Sequence, residues 1–274
     1  MSSTRVLSVI GMDQGEEDLL VAGKVARDAG AELDAVLISC IPYPLIGGPG
    51  YGGDSPFALV WEEHKRLEKQ ATCLTHVLAA EGFSAAVSPL FCSSGEVSTK
   101  IVTHANSADI TLLGSALVTD IHLARKIVDG VLFRSSCTLM LLPNRMTATL
   151  RPKRIVVGWN DQREAWIAVR SSMNLLRAAD RVHVTIVSAD SETPEDGISA
   201  GLAGFLLRHG VDAVVDHLQS SDDPALVLQQ HAESIDADLI VIGAYGRSRL
   251  GERLLGGTTE TMLHNCTVPV FMAR

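Results

Sequence analysis

Ala237-Asp238-Leu239-Ile240-Val241-Ile242-Gly243 runs without a break into Ala244-Tyr245-Gly246-Arg247-Ser248-Arg249-Leu250-Gly251-Glu252-Arg253-Leu254-Leu255-Gly256-Gly257-Thr258-Thr259-Glu260. The first segment is a continuous apolar run closed by glycine, which suits a parallel strand covered on both faces. The second reads as a glycine-punctuated loop that opens a helix. Glycine lets backbone approach a ligand closely, and a helix N-terminus presents unpaired N–H groups and a positive dipole end to an anion. The combination suggests a phosphate cradle. Arg247, Arg249 and Arg253 add local positive charge to a chain whose formal charge is -9. The pattern alone leaves a plainer reading open, in which the glycines serve the turn and the arginines are solvated.

A second copy of this segment lies upstream. Ala108-Asp109-Ile110-Thr111-Leu112-Leu113-Gly114-Ser115 matches Ala237 to Ala244, and Cys137-Thr138-Leu139-Met140-Leu141-Leu142-Pro143 matches Cys266 to Met272, both at an offset of 129 (237 - 108 and 266 - 137). Near the start, Arg5-Val6-Leu7-Ser8-Val9-Ile10-Gly11-Met12-Asp13 matches Arg154-Ile155-Val156-Val157-Gly158-Trp159-Asn160, with Gly11 and Gly158 147 apart (158 - 11). The first copy therefore holds 18 more residues between these landmarks (147 - 129). Pro42 to Pro56 accounts for most of the excess, because its proline and glycine content breaks any helix or strand period and marks a long surface loop. A period near half the chain length means duplicated domains, here 1–150 and 151–274, with a short junction at Leu150-Arg151-Pro152-Lys153.

Each half alternates strand and helix, which favours parallel sheets with right-handed crossovers. In the second half the pattern predicts strands at Arg154 to Gly158, Val182 to Ser188, Val211 to His217 and Val268 to Ala273, besides the strand ending at Gly243. Helices are predicted over Glu164 to Ala179, Gly197 to His209, Pro224 to Ile235 and Thr259 to Asn265, and in the first half over Glu16 to Asp28, Ala58 to Glu81 and Glu96 to Asn106. The final strands of the two halves carry the same register of the repeat and are expected to pair antiparallel, since sheet edges seek a partner.

Composition narrows the function classes. Mean hydropathy is +0.21, but no apolar run approaches the roughly 18 residues of a membrane span, and no secretory leader pattern opens the chain, so a cytoplasmic protein is expected. Cys40, Cys73, Cys92, Cys137 and Cys266 are dispersed without a CxxC pair, as suits reduced buried thiols. Both halves are acidic, with 11 basic against 16 acidic residues in the first and 12 against 16 in the second, which argues against a nucleic-acid surface. The nine histidines form no HExxH or tight metal spacing and are read as surface or packing residues. No Walker loop or GxSxG elbow occurs, and the doublets Glu16-Glu17, Glu62-Glu63 and Asp222-Asp223 read as solvated faces or caps, so no catalytic pair is assigned.

The spacing Gly243, Gly246, Gly256, followed after Gly257 by Thr258 and Thr259, resembles the ATP-binding signature of the universal stress protein family. The resemblance covers essentially the whole chain and is to the tandem, two-domain form. It also rests on Ile155-Val156-Val157-Gly158-Trp159-Asn160-Asp161 followed by Arg163-Glu164-Ala165, which looks like that family's opening strand and helix. The implied fold is α/β: two Rossmann-like, adenine-nucleotide α-hydrolase-like domains with mainly parallel sheets, packed as an intramolecular pseudo-dimer, with homodimerisation left open. The implied ligand is ATP, with or without magnesium. Asn160 stands at the family's nucleoside-contacting acidic position, with Asp13 as its first-half counterpart, and Val187 at the strand position that holds adenine through its backbone. Gly243, Gly246, Arg247 and Gly256 fall in the phosphate loop.

Two departures stand out. Gly257 replaces the hydroxyl residue that follows the third glycine, so a donor there must come from backbone or from Thr258 and Thr259, and Asn160 lacks the acidic charge. In the first half Leu117, Ile127 and Val128 replace Gly246, Gly256 and Gly257, which is expected to close that cradle and leave Asp13 as a helix cap. The reading is a stress-response regulator with unidentified protein partners that binds ATP in its carboxy-terminal half, with at most slow hydrolysis. The competing reading is a non-nucleotide docking module. A third, a pyrophosphatase or nucleotidyl transferase of the wider superfamily, is weakened by the absence of SGGxDS, HxGH and KMSKS-like segments.

Overall fold

The structure is a computed structural model, and it describes residues 4–12, 15–41, 56–143, 148–188, 196–246 and 257–274, with side chains from 58 and from 201 at the starts of the third and fifth segments. The chain divides into two compact units, Met1–Cys137 and Thr138–Arg274. The long proline-glycine insertion falls almost wholly outside the described residues, as do Asp13, Arg247 and Gly256.

In the first unit, β1 (Arg5–Gly11), α1 (Gly15–Ala29), β2 (Glu32–Ile41), α2 (Pro56–Ala80), β3 (Val87–Ser93), α3 (Val97–Ala105), β4 (Ile110–Leu113), α4 (Ser115–Val118) and α5 (Ile121–Arg134) alternate as the sequence predicts. The strands lie in the order β3-β2-β1-β4 and all pair parallel. Helix α1 begins with Glu16, Glu17 and Asp18, charges that suit the positive end of its dipole.

The second unit contains β5 (Thr138–Leu141), β6 (Arg154–Gly158), α6 (Arg163–Ser171), α7 (Met173–Ala178), β7 (Arg181–Ser188), α8 (Asp196–Arg208), β8 (Ala213–Gln219), α9 (Pro224–Ser234), β9 (Leu239–Gly243), α10 (Gly257–His264) and β10 (Val270–Ala273). Its strand order is β5-β10-β9-β6-β7-β8. Strands β6 to β10 pair parallel, and β5 meets β10 antiparallel with Leu141 opposite Val270 and Met140 opposite Phe271. That is the pairing expected of the two repeated final strands. The central strands are apolar along their length because both faces are covered: Ile155, Val156, Leu239, Ile240 and Val241 are fully buried.

The single helix predicted over Glu164 to Ala179 is two, broken at Ser172. Ser172 is fully buried and its hydroxyl donates to the Val169 carbonyl, an alternative to a continuous helical ladder. Helix α9 starts where a local signal demands it, with Pro224 in its first turn and the Asp223 carboxylate accepting the Ala225 N–H at 2.8 Å. The five cysteines are free thiols. Among the described residues no helix is long and apolar enough to cross a membrane.

The chain leaves β6 toward β7 and β8 and then returns to β9 on the opposite side of β6. A crevice opens at the carboxyl ends of two such strands, where the winding reverses. Gly158 and Gly243 occupy those two ends.

Candidate functional site

A cleft of ≈ 300 Å³ lies at that switch point. Gly158, Trp159 and Asn160 approach it from the end of β6, Thr185 and Val187 from β7, Gly243, Tyr245 and Gly246 from the end of β9, and Gly257, Thr258 and Thr259 from the first turn of α10. Seven residues singled out from the sequence, Asn160, Val187, Gly243, Gly246, Gly257, Thr258 and Thr259, therefore line one cavity. Glu164 of α6 and Pro224 and Leu228 of α9 complete the wall.

The glycines have different jobs. A Cβ on Gly243 would stand 2.4 Å from the Glu164 carbonyl carbon and 2.5 Å from the Ala165 nitrogen, so this glycine lets the start of α6 lie against the end of β9. Among the described residues a Cβ on Gly246, which lines the cleft, would meet only the Glu164 Oε2 atom, at 4.0 Å. Gly246 does not have a left-handed φ; Tyr245, at φ 64°, does. Tyr245 donates its N–H to the Thr259 hydroxyl at 3.3 Å, which ties the residue after β9 to the start of α10. Thr259 is buried by this role, whereas Thr258 stays partly open at the rim.

Asn160 closes a short turn, its Oδ1 accepting the Gln162 N–H at 3.1 Å. Asn160 lines the cleft and its amide nitrogen is a donor, where a carboxylate would offer only acceptors. Thr185 lines the cavity, and its fully buried hydroxyl has no hydrogen-bond partner among the described residues. A buried unpaired hydroxyl costs free energy that a hydrogen-bond partner would recover. No sequence pattern marks Thr185, and Glu164 is marked only as part of the opening helix; the register of β7 and the packing of α6 against β9 bring them to the cavity.

In the first unit the equivalent ground differs. Gly114 aligns with Gly243, and a Cβ there would lie 1.9 Å from the Asp18 carboxyl carbon. Asp18 is buried, and its Oδ2 accepts the Ala116 N–H at 3.0 Å. Burial pushes its pKa up, while N–H groups of Ala116 and Leu117 pull it back. At the offset of 147 the second unit holds Ala165, which has no carboxylate to place there. A cleft of ≈ 530 Å³ remains in the first unit, bounded by Leu117 and Asp120 among others. Leu117 packs near Gly11, where an added Cβ would meet its Cδ1 at 3.3 Å. Ile127 and Val128, expected to close the cradle, are instead fully buried in α5 and do not line the cleft.

Elsewhere in the second unit His183, Asp216 and His231 bring three potential metal ligands together, a grouping that sequence spacing does not reveal.

The sequence pattern of the universal stress protein family matches residues 152–274. Universal stress proteins of Mycobacterium tuberculosis and Mycobacterium bovis are 37% identical over 87 residues, a match that spans 32% of this chain and 28% of theirs. Among solved structures, a universal stress protein from Archaeoglobus fulgidus has the same fold, with a TM-score of 0.68 and 17% identity over 98% of this chain and 96% of that one. One from Pseudomonas aeruginosa described as a putative universal stress protein gives 0.59 and 16%, over 99% and 93%.

Proposed function

The chain being a member of the universal stress protein family through its carboxy-terminal domain, we propose that it is a stress-response protein whose carboxy-terminal half binds ATP. The observation that carries this reading is the convergence of Asn160, Val187, Gly246, Gly257 and Thr258 on one cleft that also contains an orphaned buried hydroxyl. The cavity has the polarity a nucleotide requires. Val187, Pro224 and Leu228 supply apolar surface for a base, and Thr185 and Asn160 supply hydrogen bonds for the sugar. Gly246 and the first turn of α10 supply close-approaching backbone for phosphates.

Glu164 places a carboxylate beside Gly246, where the phosphates would lie. Two anions in such proximity would repel, and Glu164 would be the residue to help hold a magnesium ion, whose charge would offset that of the phosphates. ATP is therefore proposed to bind with magnesium. The chain's own residues bind and orient the nucleotide, and any hydrolysis is slow and incidental to the bound state. Regulatory partners and a cytoplasmic location belong to the same proposal.

Mass spectrometry of small molecules released from gently purified protein, followed by calorimetric titration with magnesium and ATP, tests the reading. Adenine nucleotide in the released fraction and saturable binding are the expected results. Absence of both would move the assignment to a docking module without nucleotide.

A further inference from the structure

We propose that His183, Asp216 and His231 form a binding site for a divalent transition metal ion of the zinc type, separate from the nucleotide cleft. The site is assembled by the topology. Strands β7 and β8 pair parallel with Thr185 opposite Asp216, and His183 lies two residues before Thr185, on the same face of its strand. Helix α9 carries His231 over that face. Three side chains separated in sequence by 33 and 15 positions thus meet at one point.

The donor atoms are already close to a coordination set. The His183 Nδ1 atom is 2.8 Å and the His231 Nε2 atom 3.1 Å from the same Asp216 oxygen, Oδ2. All three donors lie within 4.8 Å of one another. Metal–ligand bonds near 2.0–2.2 Å in tetrahedral geometry hold neighbouring donors about 3.3 Å apart, so an ion requires only small side-chain movements. The imidazole rings are inclined at 73° with centroids 6.1 Å apart, which lets both nitrogens converge on one oxygen without the rings stacking.

Two imidazole nitrogens and one carboxylate oxygen suit zinc and its neighbours among the first-row metals, whereas magnesium and calcium prefer all-oxygen cages. Three protein ligands leave a fourth position for water or an external ligand. The side chains are 15–24% exposed, enough for an ion to enter while most of the donor set stays sheltered. An ion here would pin α9 to β7 and β8. Pro224 and Leu228 of that helix line the nucleotide cleft, so the clamp would also steady one wall of it.

The test uses the full chain, stripped with chelator and free of any histidine tag. Zinc bound after dialysis is counted by elemental mass spectrometry, and the cobalt-substituted protein is examined by visible absorption. The expected result is one ion per chain, cobalt d–d bands without sulfur charge transfer, and a raised unfolding temperature with zinc. Asp216→Asn and His231→Gln should each weaken binding by about tenfold or more, with circular dichroism establishing that each variant is folded. His183→Gln serves where either variant fails to fold. Unchanged affinity in folded variants, no zinc uptake by the wild type, or a cobalt spectrum with sulfur ligation lost in Cys40→Ser would each overturn the site and leave a hydrogen-bonded His–Asp–His cluster.

Discussion

The Asp18 carboxylate accepts the Ala116 backbone N–H at 3.0 Å, so the first unit places its own anion beside Gly114, on ground that the Glu164 and Ala165 backbone takes beside Gly243 in the second unit. This contact has a pH signature. Burial is the largest influence on Asp18 and raises its pKa, so the folded chain holds that proton to higher pH than the unfolded chain does. Where the folded state binds more protons, stability falls as pH rises. The contribution of Asp18 is thus most favourable below the ordinary carboxylate range and is lost through the window from that range up to the raised value. Asp18→Asn keeps the shape and removes the titration. Denaturant melts across that window should show a steeper loss of stability in the wild type than in Asp18→Asn, and parallel curves would refute the assignment.

Thr185 offers a test of the cleft that separates stability from binding. Its hydroxyl is buried and has no partner among the described residues, so Thr185→Val should stabilise the nucleotide-free protein by about 1 kcal/mol. In a chain of this size that is roughly a 2–4 °C rise in Tm. The same change removes a hydrogen bond from the proposed ribose site and should raise the Kd for ATP about fivefold. Calorimetry in both modes checks it, and a variant that loses stability without losing affinity would contradict the role given to Thr185.

Much of this was legible in the sequence, and the limits have physical causes. The strands around Ile155 to Val157 and Leu239 to Ile242 could be read because burial on both faces demands unbroken apolar runs. The break at Ser172 could not, because a serine inside a helical period gives no sign of whether its hydroxyl turns back onto the chain. The cleft was legible through glycines and hydroxyl residues at fixed spacing. Thr185 and Asp18 were not, nor was the place of Glu164 at the cavity, because these residues reach their positions through packing against other elements. His183, Asp216 and His231 needed strand register as well as the path of α9, neither of which is written in local spacing.

Gly243 and Gly246 should respond oppositely to substitution. A Cβ on Gly243 meets the backbone of Glu164 and Ala165 at 2.4–2.7 Å, so Gly243→Ala must push α6 from β9. Overpacking of this kind costs about 1–3 kcal/mol. Among the described residues a Cβ on Gly246 would meet only the Glu164 Oε2 atom, at 4.0 Å, and its φ is not left-handed, so Gly246→Leu should leave Tm nearly unchanged while its side chain occupies the proposed phosphate ground. ATP affinity should then fall about tenfold or more, which corresponds to about 1.4 kcal/mol. Thermal melts and titrations of the two variants, run side by side, decide the matter; loss of stability in Gly246→Leu with affinity retained would reverse the roles.

The two units should also differ in what they bind, and the reason goes beyond the bulk of one side chain. In the first unit Leu117 stands in the place of Gly246, but the Ala116 N–H beside it is already committed to Asp18, and Asp120 adds a second carboxylate to the cleft wall. A phosphate entering there would displace one anion and face another. Leu117→Gly removes the steric obstacle and neither of the electrostatic ones. We therefore expect one ATP per chain in the wild type and still one in Leu117→Gly, because a missing side chain does not release a hydrogen-bond donor that a buried aspartate holds. Titration calorimetry reads the stoichiometry directly. Two sites in the wild type would remove the asymmetry between the units, and a second site in Leu117→Gly alone would show that Leu117, not Asp18, is what keeps the first unit empty.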